Sequence, residues 1–164
     1  MSQIKENSLV KNAFILSGAS IISKVLGAFY QAFLYQTVGA EGVGIYLKGI
    51  YFYAMLLAIS ASGIPIGISK LMAEERARGR IGEANRIVRY SSSLLALIGM
   101  ILALGLFFCS PIIAREVFRD ERTLYVLQAM APALFIVTVM GGLRGYFQGK
   151  QNMMPTALSQ IFEQ

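Results

Sequence analysis

The 164 residues contain no histidine, no tryptophan and a single cysteine. Without imidazole the chain lacks the side chain most used for proton transfer near neutrality and the commonest metal ligand. Cys109 has no partner for an internal disulfide and, set within an apolar run, reads as a small packing residue. No carboxylate pair and no metal-ligand cluster stands out either, so neither an enzyme, a cofactor nor a metal is expected. Charge is also scarce, with 15% of residues charged against 55% hydrophobic and a mean hydropathy of +0.58. That balance is too apolar for an ordinary soluble domain of this size, and a membrane protein is expected. A net charge of +6 does not point to nucleic acid, because the cations fall between long apolar runs rather than on one basic face.

What the chain does have is apolar stretches of bilayer length, about 20 residues per helical crossing. Four spans are placed at about 9–35, 43–71, 91–113 and 124–147, and a truncated fifth opens from about 155 in PTALSQIFEQ. The runs are continuous and rich in Leu, Ile and Ala, whereas the strands of a membrane barrel would alternate. The expected fold class is all-α, a polytopic transmembrane helical bundle, with residues 1–164 as a single domain fragment. The start, MSQIKENSLVKNAFILSGAS, stays apolar past a signal peptide's core without a convincing cleavage site, and reads as a retained first span.

Orientation follows from the fifteen Lys and Arg. With the N-terminus in the cytoplasm, the inner segments hold ten of them: Lys5, Lys11, Lys70, Arg76, Arg78, Arg80, Arg86, Arg89, Arg144 and Lys150. The outer loops hold three, Arg115, Arg119 and Arg122, which is a clear positive-inside bias. The segment AEERARGRIGEANRIVR between spans two and three reads either as an amphipathic stretch whose arginines meet anionic lipid headgroups or as a solvated charged turn. REVFRDER, after span three, balances its signs and is expected to lie flat at the outer surface.

The remaining cations, Lys24 and Lys48, fall inside the first two spans. On a helix, Ser17, Ser20, Lys24, Gly27 and Gln31 share one narrow polar stripe through spacings of three and four. Span two repeats the pattern with Tyr46, Gly49, Tyr53, Ser60, Gly63 and Gly67, and two such faces can line a common cavity. In SASGIPIGIS, Pro65 beside three glycines permits a kink or local unwinding. A charged lysine near mid-membrane costs roughly 2.5 to 3.5 kcal/mol on insertion scales, so Lys24 should pair, reach water or bind an anionic ligand. Lys48 lies nearer the end of its span, where its stem can snorkel outward.

At the end of span four, Gly141, Gly145 and Gly149 recur every four residues and give a ridge for close helix packing. Arg144, Tyr146 and Gln148 then sit at the cytoplasmic end. Pro132 marks a kink. Glu163, about 12 Å into a helix that starts near Pro155, is a candidate partner or proton carrier, and with Arg144 a candidate cavity or coupling group.

Three stretches carry a family resemblance: SKVLGAFYQAFLYQTVGAEGVGIY, ASGIPIGISKLMAEERARG and RGYFQGKQNMMPTALSQIFEQ. They resemble the N-terminal part of stage V sporulation protein B-like and MurJ-like lipid II flippases, of the multidrug/oligosaccharidyl-lipid/polysaccharide exporter superfamily. The resemblance implies part of the N-terminal lobe of a two-lobe exporter in a bacterial plasma membrane, working with a C-terminal lobe outside this sequence. It implies a central cavity that carries a lipid-linked oligosaccharide, or another anionic lipid headgroup, while the lipid tail stays among membrane lipids. Lys24 would then attract the headgroup pyrophosphate, with Ser17, Ser20, Gln31 and Tyr53 as further substrate contacts. Related flippases carry an arginine after the serine that Ser23 matches, where this chain has Lys24, which keeps the charge but not the bidentate fork. An ion-coupled multidrug exporter of the same superfamily and a non-transporting membrane scaffold are the alternatives.

Overall fold

A computed structural model of the chain describes residues 2–61 and 63–163, with side chains from Asn12 onward except that of Ala61. Its elements are α1 (Ser2–Ala61), α2 (Ile64–Ala77), α3 (Ile81–Ile112), a π-helical turn (Ile113–Val117), α4 (Thr123–Gly149) and α5 (Met154–Glu163). Three stretches are long and apolar enough to cross a membrane, at Asn12–Ala77, Ile81–Val117 and Thr123–Gly149. No strand occurs among the described residues, as the continuous apolar runs led one to expect.

The first stretch is not one straight rod. Sixty-six residues of helix would run roughly 100 Å, several times the ~30 Å hydrocarbon core. Gly39 interrupts the helical backbone at φ 70° and ψ 178°, a region open essentially only to glycine. The chain folds back there, because the rings of Tyr30 and Tyr46 lie 6.3 Å apart, whereas sixteen residues of straight helix would separate them by ~24 Å. α1 is therefore two arms, 2–38 and 40–61, and the stretch read from sequence as a second span at 43–71 takes in the second arm and the first half of α2.

The second arm stops at Ala61, and α2 restarts at Ile64 with Pro65 in its first turn, where the missing N–H costs nothing. This is the interruption that SASGIPIGIS foreshadows. α2 and α3 are joined by a tight turn in which Gly79 takes φ 76° and the Arg80 N–H donates to the Glu75 carbonyl at 2.9 Å.

α4 touches every other element and forms the centre of the bundle. Leu106, Leu127, Ala131 and Leu134 make the buried cluster, flanked by Phe52, Tyr53, Leu56 and Leu57 from the second arm. Small residues let backbones approach. A Cβ on Gly145 would stand 2.8 Å from the Pro65 carbonyl oxygen, and one on Gly49 would stand 2.5 Å from Val126 Cγ1. Gly145 and Gly149 form the ridge expected from their spacing, and it faces α2 at Pro65, Ile68 and Met72.

On α3 the inward positions include Gly99, Ala103 and Ser110, while Leu94, Leu97, Ile101, Leu104 and Phe108 point outward. A soluble helix would hide the larger side chains. With hydrocarbon outside that drive is weaker, and small residues share the helix contacts with Leu95 and Leu106.

Candidate functional site

The fold-back at Gly39 determines the site. It lays the stripe of the first arm beside the second arm, and the two enclose an open groove of 410 Å³ lined by Lys24, Gly27, Tyr30, Gln31, Tyr46 and Tyr51, among others. The glycine and Ala28 leave room between the arms, and tyrosines from both arms supply aromatic faces with hydroxyl tips. Lys24 is exposed and has no hydrogen-bond or ion-pair partner among the described residues. A cation beside an amide and phenols, with no protein carboxylate to neutralise it, is suited to an anionic group that also presents hydroxyls.

The other residues singled out from the sequence go to different places. Ser17 is exposed and outside the groove lining. Ser20 bonds back to the Leu16 carbonyl at 2.9 Å and approaches Gln160 Oε1 at 3.5 Å, while Ser23 donates to the Gln160 carbonyl at 3.1 Å. These two serines dock α5 onto the first arm. Tyr53 packs against the apolar cluster under α4, within electrostatic reach of Glu163. Arg144 donates through Nε to Ser159 Oγ at 2.9 Å and through a terminal nitrogen to Glu163, so the arginine and the carboxylate join α4 to α5. The sequence stripe is thus divided: Lys24 and Gln31 come together in the groove, and Ser20 is used in packing.

Lys48 corrects the expectation of simple snorkelling. Its Nζ meets Asp120 Oδ2 at 3.1 Å. The segment expected to lie flat at the surface is also tied to the second arm by Arg122 on Glu41 at 2.8 Å, and Arg115 on Glu121 at 3.2 Å braces it internally. The hydrogen bond from Lys48 holds the Asp120 carboxyl below its ordinary value of 3.8.

Sequence reasoning did not pick out Tyr30 or Tyr51. Both lie among apolar neighbours, and only the fold-back register reveals that they face the lysine. A usable signal was the glycine at 39, which pairs position 30 with 46.

Three comparisons bear on this arrangement. A family model described as "Polysaccharide biosynthesis protein" matches residues 9–164. Stage V sporulation protein B of Bacillus subtilis (strain 168) is 35% identical over 159 residues, 97% of this chain and 31% of the relative. Lipid II flippase MurJ of the same organism is 29% identical over 166 residues, 96% of this chain and 30% of the relative. The uncharacterized membrane protein YabM, again from that organism, is 35% identical over 98% of this chain and 29% of the relative. The chain thus spans about a third of the length of these relatives. No solved structure matches.

Proposed function

Because the chain belongs to the polysaccharide biosynthesis protein family, we propose that it is part of a multi-pass bacterial plasma-membrane transporter that moves an undecaprenyl-pyrophosphate-linked sugar across the bilayer. Lipid II or a polysaccharide precursor is the substrate class. The observation that carries this reading is Lys24, a cation in an apolar helix with no carboxylate partner among the described residues, placed on a groove made by both arms of α1. Such a cation attracts pyrophosphate, while Gln31 and the phenol hydroxyls of Tyr46 and Tyr51 suit sugar hydroxyls. The name of one relative, a lipid II flippase, supports the same substrate class. The reading treats the protein as a carrier rather than an enzyme, working with further helices that supply a second lobe for alternating access.

A transport assay on Lys24 variants of the full-length protein, at matched abundance in the membrane, tests the assignment. Lys24→Ala and Lys24→Met should each lower transport of the lipid-linked sugar roughly tenfold or more, the value of a hydrogen bond to a charged group. Lys24→Arg should keep substantial activity, because the charge persists. A fully active Lys24→Met variant removes the lysine from the substrate site.

A further inference from the structure

The basic segment between α2 and α3 divides into two parts that look alike in the sequence. At the turn, Glu75 takes Arg78 at 3.0 Å and Arg80 at 3.8 Å, so one carboxylate is shared between two arginines. Past the turn, Gly82, Asn85, Arg86, Arg89 and Tyr90 recur at helical spacing and border an open groove of 610 Å³ along one face of α3. Here the carboxylate contacts are fewer and longer. Arg86 has a carboxylate only at 4.0 Å, that of Glu83, and lies 5.5 Å from the centroid of the Tyr90 ring. Arg89 has no carboxylate partner among the described residues.

Height along α3 says what this face meets. The apolar run begins at Leu94, past Ser91, Ser92 and Ser93, so Arg89 stands about 8 Å and Arg86 about 12 Å beyond the hydrocarbon edge along the helix axis. The polar layer of a bilayer is roughly 5 to 8 Å thick on each side of its core, and this is the depth of lipid phosphates. Tyr90, about 6 Å out, is the aromatic type that settles in this layer, and Arg86 lies one turn further out, just past it.

We propose that this face of α3 is a binding site for the phosphate of an anionic membrane phospholipid. The guanidinium groups of Arg86 and Arg89 present forked donors to the phosphate oxygens, and the Asn85 amide and Tyr90 hydroxyl supply further hydrogen bonds. The site shares no residue with the groove of Lys24, and it does not depend on the substrate assigned to that groove.

The test titrates the full-length protein in neutral detergent with short-chain phosphatidylglycerol, using short-chain phosphatidylcholine as the uncharged comparison. Wild type should prefer phosphatidylglycerol. The Arg86→Gln/Arg89→Gln double variant should bind it roughly 30-fold more weakly, the effect of two cations near a lipid surface. The Arg78→Gln/Arg80→Gln double variant removes the same formal charge from residues that share Glu75 and do not line the groove, and should change binding less than about threefold. All three proteins should elute alike and be equally helical, since the four arginines are exposed. Unchanged binding in the first variant overturns the proposal. So does an equal loss in the second, which reports net charge alone, or equal affinity of wild type for the two lipids.

Discussion

Lys48 and Asp120 are 72 residues apart in the chain and joined at 3.1 Å in space. The lysine is placed inside an apolar arm, where an unaccompanied ammonium is costly, and the aspartate reaches it from the loop after the π-helical turn. Because hydrogen bonding from Lys48 lowers the Asp120 carboxyl below 3.8, the pair's contribution to stability is complete above that value and is lost as pH falls through the folded value. The expected outcome is that Asp120→Asn lowers the melting temperature of the detergent-solubilised protein by the same small amount at pH 8 and pH 5.5. The gap should close only in acid below about pH 4. Thermal unfolding scans across that range check it, and a gap that closes between pH 8 and pH 6 would show that the carboxylate does not sit as described.

Among the elements, α1 depends most on a single residue. Gly39 at φ 70° and ψ 178° lets two arms lie side by side without an intervening loop, and nothing stands within 4 Å of where its Cβ would be. The constraint is therefore on the backbone and not on space. Asparagine tolerates the ordinary left-handed helical region, but its side chain does not fit this extended positive-φ region any better than alanine does. Both Gly39→Ala and Gly39→Asn should destabilise the protein by about 1 to 3 kcal/mol. Chemical unfolding followed by circular dichroism measures this, and an Asn variant as stable as wild type would argue for a different backbone there.

For the whole molecule, side-chain bonds assign loops to two opposite ends. The Arg122–Glu41 and Lys48–Asp120 pairs hold the tip of α1 against the segment after α3. At the other end the Asn12 amide donates to the Gln151 carbonyl at 2.8 Å, and Gly149 packs on Met72 near the end of α2. Of the ten cations assigned from sequence to inner segments, the eight from Lys70 onward belong to elements that meet at this second end, against Arg115, Arg119 and Arg122 at the first. With the positive end retained inside, a reporter fused after Arg80 should read cytoplasmic and one fused after Glu121 should read external. The reverse pattern in paired reporter fusions would turn the orientation over.

Helicity, apolar character and the break near Pro65 were legible in the sequence, because each of these properties is set within one or two turns of backbone. The sequence also placed Lys24 and Gln31 on one face, since a seven-residue separation returns a side chain to nearly the same side of a helix. The partners were decided only by tertiary structure. Whether Lys24 meets Tyr51, whether Ser20 points to a substrate or to Gln160, and whether Glu163 meets Lys24 or Arg144 depends on the register of the fold-back at Gly39 and on how closely the glycine faces let helices approach. Helical periodicity repeats on every element and does not encode that register. The contacts between elements select it, and those same contacts left Lys24 facing an open groove and gave Lys48 its aspartate.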